Sequence, residues 1–302
     1  MSVADNILDL IGNTPLVKIN RLTDSEDASL YAKLEWYNIG GSVKDRMALQ
    51  LINCAKVEGR LNRDKTILEA TSGNTGIALA MIAAAKGYKI AITMPQSVSV
   101  ERRKIIQAYG AKLLLSPAEK GTGGAIELKQ KLLQEKPDKY IDINQFKDPA
   151  NILAHYQTTG KEILEQTKGE VDLIVVGIGT AGTGVGTSMR VKEYNQNIKV
   201  VGVTPKLNVN IQGLRNPEEP HPTKLFKEEA FDEIIEITEE EKPRTFQVAR
   251  ETAKEEGLLI GMSAATIMYV ALQKAEELGK EKTIVAILPD DGTKYLSTSL
   301  FK

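Results

Sequence analysis

The chain has 302 residues, enough for two domains at roughly 150 residues each. Apolar side chains make up 42% and charged ones 26%, a globular balance that excludes a disordered chain. The 39 basic and 40 acidic residues leave a formal charge of −1, without the basic excess that a nucleic-acid binder needs.

In chain order, SLYAKLEWY reads as a strand, and the segment after it opens a helix running to about Glu58. TILEATS then leads into the helix GIALAMIAAAKG, KIAITMP into VERRKIIQAYG, and AKLLLSP into GGAIELKQKLLQEK. VDLIVVGIG, KVVGVTP, LLIGMS and KTIVAILP follow as strands, with the helix AATIMYVALQKAEELG between the last two. This alternation predicts an α/β protein with mainly parallel sheets covered by helices. The charged helices between 101 and 134 present solvated faces, and the long segment from Pro205 to Ala230, with Pro217, Pro220 and Pro222, reads as a lid or binding loop.

Several classes are excluded. No run approaches 18 apolar residues and MSVADNILDL lacks a cationic-then-apolar leader, so the chain reads as cytoplasmic, without a membrane span. Cys54, His155 and His221 form no metal-ligand spacing, so no metal is expected. Cys54 reads as a small core hydrophobe, His155 as a helix residue and His221 as a loop residue.

In open parallel sheets, ligands bind beyond the carboxyl ends of the strands, so the strand-to-helix loops carry the chemistry. The first such loop, Asn38 to Arg46, places Lys44 and Arg46 in a helical first turn, where the dipole disfavours cations. An anionic cofactor or a covalent bond at Lys44 would remove that conflict, as would a solvated lysine partly compensated by Asp45. The second, Glu69 to Gly76, offers the hydroxyls of Thr71, Ser72 and Thr75, the amide of Asn74 and the backbone of Gly73 to a small anion such as a carboxylate. One of those hydroxyls would suffice for an N-cap. The third, Gly177 to Thr183, fits G-x-G-x-x-G. A dinucleotide would also need an acid at the end of the next strand, which instead ends at Thr204 and Pro205, so a lone phosphate held by backbone amides, Thr180 and Thr183 is the simpler reading.

The three loops, together with IGNTPL, MPQSVSVERRKIIQAYGAKL, NQFKDPAN, GMSAA and LPDDGTKYLST in the same order and spacing, resemble the cysteine synthase (O-acetylserine sulfhydrylase) family of fold-type II pyridoxal-phosphate enzymes. The resemblance covers nearly the whole chain. It implies two three-layer domains of the tryptophan synthase β-like type: residues 1–34 with 147–302 as a large cofactor-binding domain and 35–146 as a small, mobile, substrate-binding one. The implied cofactor is pyridoxal 5′-phosphate, carried covalently by Lys44, which then removes the Cα proton. Asn74 would bind the ring hydroxyl, and Gly179, Thr180, Ala181, Gly182 and Thr183 would bind the phosphate. Thr71, Ser72, Gly73, Thr75 and Gln145 would bind the substrate carboxylate.

The chain departs from the family at Ile39 and Ala70, where prolines are usual, and at Ala181, where glycine is usual and alanine demands a negative φ. For the pyridine nitrogen, relatives use a serine either at the place of Asp290 and Asp291 or in the loop resembling Gly261-Met262-Ser263. Ser263 is favoured, because a buried Asp290 would protonate the ring and invite side reactions. The segment Ile211 to Glu219 resembles the B-type branch, in which Arg215 would fork onto the phosphate of O-phosphoserine; pairing with Glu218 or Glu219 is the plainer role.

The resemblance therefore implies a transferase of amino-acid and cysteine biosynthesis that replaces the acetate of O-acetyl-L-serine with sulfide. O-phosphoserine sulfhydrylase and cystathionine β-synthase-like activity are the related alternatives, and a NAD-dependent oxidoreductase is the alternative of another class. A homodimer and a serine acetyltransferase partner are also implied.

Overall fold

The computed structural model describes residues 3–71, 73–98, 100–219 and 222–302, so Ser72, Pro220 and His221 lie outside the described residues. In chain order the elements are β1 (Leu16–Lys18), β2 (Ser29–Leu34), α1 (Lys44–Val57), β3 (Thr66–Ala70), α2 (Asn74–Lys86), β4 (Lys89–Pro95) and α3 (Val100–Ala108). There follow β5 (Lys112–Ser116), α4 (Gly121–Glu135), β6 (Tyr140–Asp142), α5 (Ala150–Gln157), α6 (Thr159–Gln166), β7 (Leu173–Gly177) and α7 (Gly182–Tyr194). The last are β8 (Lys199–Pro205), β9 (Glu233–Ile237), α8 (Lys242–Glu256), α9 (Met262–Leu278) and β10 (Thr283–Leu288). No described helix is long and apolar enough to cross a membrane.

Two compact units result, Met1–Ile11 with Lys44–Ala150, and Gly12–Val43 with Asn151–Lys302. This division differs from the expected boundaries at 34/35 and 146/147. Residues 35–43 belong with the larger unit because Val43 N donates to Pro289 O (2.9 Å) and Lys294 Nζ to Gly41 O (2.7 Å). Residues 1–11 belong with the smaller one because Leu8 and Ile11 pack on its core.

The larger unit holds a six-stranded sheet in the order β1-β2-β10-β7-β8-β9, parallel except for β1. Both faces of β10 are covered, which is why KTIVAILP is a continuous apolar run. Ile284, Ala286 and Leu288 pack with Ala264, Ile267 and Met268 of α9, while Val285 and Ile287 pack with Val185 and Val191 of α7. The smaller unit holds a four-stranded parallel sheet, β5-β4-β3-β6. Its α1 and α2 bury Met47, Leu51, Leu79 and Ile82 against Ile67 and Ile92, and Leu132 and Leu133 of α4 cover Leu68 and Ala91 on the other face.

Strand order places the loops. In each sheet the sequence direction reverses beside a central strand, between β10 and β7 in one and between β3 and β6 in the other. Such switch points open a crevice at the strands' carboxyl ends. The run LLIGMS departs from its expected strand: Ile260 makes one bridge with Asp291, and α9 begins at Met262. A short apolar run suits a buried helix start as well as a strand, and its glycine falls at the N-cap.

Candidate active site

The larger unit builds its crevice from the loop between β7 and α7. Helix α7 starts after Ala181 with no side-chain cap, so its first-turn N–H groups point out of the helix without intrahelical acceptors. That arrangement suits an anion. A Cβ on Gly179 would lie 2.7 Å from the carbonyl oxygen of Gly213, and one on Gly182 would strike Asn151 Oδ1, so backbone fills these places and side chains cannot. The negative φ expected at Ala181 is not what the chain adopts. Ala181 sits at φ +69°, ψ −12°, left-handed, held between a buried loop and the helix it starts. Strain of about 1–2 kcal/mol is thereby carried at this position.

Two side chains of α5 fix the loop's hydroxyls. Asn151 Nδ2 donates to Thr180 Oγ1 (2.9 Å), and His155, buried, reaches Thr183 Oγ1 with Nε2 (3.2 Å) and Thr159 Oγ1 with Nδ1 (2.9 Å). His155 is thus more than the ordinary helix residue its sequence context implied. The loop after β8, expected as a lid or binding loop, packs on the same place. Arg215 N donates to Ile178 O (2.8 Å), and Thr223 Oγ1 to Thr180 O (2.8 Å).

Ser263, buried near the start of α9, stands against Gly213, where a Cβ would lie 3.0 Å from Ser263 Oγ. Asp290 is buried, its Oδ2 accepting from Tyr295 Oη (2.7 Å) and its Oδ1 filling the space a Gly261 side chain would need. Gly179 thus lies against Gly213, and Gly213 against Ser263, within the larger unit. Arg215 Nε donates to Glu219 Oε2 (3.0 Å), while Glu219 Oε1 accepts from Asn216 N (3.3 Å), so a structural ion pair is formed at Arg215.

In the smaller unit the second loop lies beside the loop after β6. Thr75 Oγ1 donates to Gln145 Oε1 (2.7 Å), both side chains being buried. Gly73 N donates to Thr71 Oγ1 (3.4 Å), and Asn74 begins α2, whose N-cap Gly73 makes no side-chain cap. Lys44 begins α1, half-buried, followed by the buried Asp45 and Arg46. Under this loop, Lys129 Nζ of α4 donates to Glu69 Oε1 (3.1 Å) and Asp142 Oδ1 (3.0 Å). Burial pushes the Glu69 carboxyl up. Burial would by itself lower the Lys129 ammonium, but the Glu69 and Asp142 carboxylates outweigh it and hold the ammonium up. None of Lys129, Glu69 or Asp142 stood out as a site residue in the sequence.

A family model described as Pyridoxal-phosphate dependent enzyme matches residues 7–290. The chain belongs to this family. It is 44% identical over 304 residues to a protein named Cysteine synthase from Aquifex aeolicus (strain VF5), covering 98% of this chain and 92% of that protein. Among solved structures, Cysteine Synthase (OASS) from Entamoeba histolytica matches with a TM-score of 0.93 at 39% identity, over 99% of this chain and 91% of that one. An O-ureido-L-serine synthase matches with a TM-score of 0.92 at 36% identity, over 99% and 96%. The fold is that of the fold-type II pyridoxal-phosphate enzymes, and the reading as a NAD-dependent oxidoreductase is set aside.

The residues present suit the family's cofactor, pyridoxal phosphate. An uncapped helix start lined by two fixed threonine hydroxyls, in a cradle that side chains would fill, matches a phosphate monoester.

Proposed function

We propose that the protein is a cysteine synthase, converting O-acetyl-L-serine and sulfide into L-cysteine and acetate. The observation that carries the reading is the uncapped start of α7 with its fixed Thr180 and Thr183, in a chain 44% identical to a protein named Cysteine synthase.

When bound, pyridoxal phosphate supplies an electron sink for charge developing at the amino acid's Cα. Lys44 would carry it covalently, and its amine, once released, would be the base that takes the Cα proton. The N–H groups of Gly179 to Thr183 and the hydroxyls of Thr180 and Thr183 would hold the phosphate, and Asn74 would hold the ring hydroxyl. Ser263 would meet the ring nitrogen; Asp290 bonds Tyr295 and shapes the turn at Gly261, which supports the serine over the aspartate. Thr71, Ser72, Gly73, Thr75 and Gln145 bind the substrate α-carboxylate, orienting the Cα–H bond toward the base. Acetate would depart from Cβ as the Cα proton is lost, hydrosulfide would add at Cβ to form the C–S bond, and the Lys44 ammonium would return the proton to Cα.

The ion pair between Arg215 and Glu219 favours O-acetyl-L-serine over O-phospho-L-serine, because a phosphate would have to compete with Glu219 for the guanidinium. The larger unit serves as the cofactor domain and the smaller as the mobile substrate domain. The enzyme works as a cytoplasmic homodimer, the assembly the family resemblance implies, and a serine acetyltransferase, which makes the acetyl ester, is its natural partner. Protein reconstituted with pyridoxal phosphate should turn yellow and form L-cysteine from O-acetyl-L-serine and sulfide, with the phosphate ester a poorer substrate. No cysteine from either ester would overturn the reading.

A further inference from the structure

Helix α4 buries a charge where it covers the sheet. Lys129 is nearly inaccessible, and its ammonium lies between two carboxylates on two strands: Glu69, the penultimate residue of β3, and Asp142, the last of β6. The strands are paired in parallel, with Leu68 opposite Asp142. Each carboxylate also grips the chain that follows it. Glu69 Oε1 accepts from Ala70 N (2.9 Å), one residue before the loop containing Thr71 and Thr75. Asp142 Oδ1 accepts from Asn144 N (3.0 Å) and Oδ2 from Asn144 Nδ2 (3.1 Å), holding Asn144 in a left-handed turn at φ +40°. The next residue is Gln145, which accepts from Thr75 Oγ1 (2.7 Å).

The chain of contacts closes a ring: Lys129 to Glu69 and its loop, across Thr75 to Gln145, and back through Asn144 and Asp142 to Lys129. Burying an ammonium costs several kcal/mol, and a methionine could cover the same sheet without that cost. A methionine could not tie two strand ends together. We propose that Lys129 is a positioning residue for the substrate carboxylate: its ammonium bridges the ends of β3 and β6 and so fixes Gln145 relative to the loop containing Thr71 and Thr75. The inference rests on the reading of those loops as the carboxylate subsite.

The test uses the reconstituted enzyme and L-alanine, an amino acid that has the carboxylate but no β-leaving group, with the visible absorbance of the cofactor as readout. Lys129→Met should raise the L-alanine concentration at half-saturation, and KM for O-acetyl-L-serine, by about tenfold. KM for sulfide and the absorbance without amino acid should stay as in the unmodified enzyme, and kcat should change by less than about threefold. A purely structural lysine would lower the active fraction and kcat without moving half-saturation. Lys129→Met combined with Glu69→Gln leaves no buried unpaired carboxylate at Glu69 and guards against misfolding of the single variant; it too should bind L-alanine about tenfold more weakly. Unchanged half-saturation in a folded variant would overturn the inference. If the unmodified enzyme responds to neither amino acid, it is the assignment of function that has failed.

Discussion

The loop before α7 and the loop before α2 have the same design, a parallel strand at a switch point running into a helix through glycines and hydroxyls, but they are braced differently. The first is held by hydrogen bonds: Asn151, His155 and Thr223 bond its hydroxyls and carbonyls, and glycines let backbone pack on backbone. The second stands on a buried cation between two carboxylates. This cradle presents the N–H groups of α7 as a local positive end, which suits a dianion that stays bound. The charged brace lies beneath its loop, on the carboxylates of Glu69 and Asp142, and on the proposed reading leaves Thr71 and Thr75 to meet a monoanion that enters and leaves at every turnover.

The largest effect should come from Lys44→Ala, which on the proposed roles removes the covalent link and the base together. Sulfide-dependent cysteine formation should fall by about a thousandfold with the fold intact by circular dichroism. Gly182→Ala breaks the first cradle, because the new methyl group strikes Asn151; the dissociation constant for pyridoxal phosphate should rise by about tenfold or more, measured by fluorescence titration.

Glu69→Gln sharpens the contrast through pH. Burial raises the folded Glu69 pKa above its unfolded value of 4.5, against the pull of Lys129 and with the push of Asp142. The folded state therefore binds that proton more readily, so this group's contribution to stability is full below 4.5 and is lost as pH rises through the raised folded value. The gain in Tm of Glu69→Gln over the unmodified protein should be larger at pH 8 than at pH 5, by scanning calorimetry. An equal difference at both would refute it.

Arg215→Ala should lower kcat/KM by less than about threefold, equally for the acetyl and phosphate esters, if its role is the ion pair with Glu219. A loss of about tenfold or more confined to the phosphate ester would restore the fork onto phosphate. The smallest effect is at Ala181→Gly. Glycine relieves the left-handed strain and returns part of that gain as unfolded-state entropy, for a net rise in Tm of about 1–3 °C.

The loops were legible because their chemistry is local. G-x-G-x-x-G after VDLIVV and three hydroxyls before GIALAM are contiguous signals, and the strand-helix rhythm set the sheet type. What was not legible spans the chain. Asn151 and His155 acquire meaning only through Thr180 and Thr183, 29 and 28 residues away. Their spacing of four on one helix face was the available hint. Lys129 meets Glu69 across 60 residues, and in sequence it is one lysine in a charged helix. The φ of Ala181 followed from packing, which outweighed the residue's own preference. LLIGMS suits a short strand and a buried helix start equally well, because the two share a composition, and the chain takes the helix start.

If the two braced loops serve two ligands, two isosteric changes should separate them. Thr183→Val and Thr75→Val are each measured for cofactor dissociation and for the KM of O-acetyl-L-serine. Thr183→Val should weaken cofactor binding by about tenfold with KM within about twofold, and Thr75→Val should do the reverse. Both constants moving together in either variant would contradict that separation.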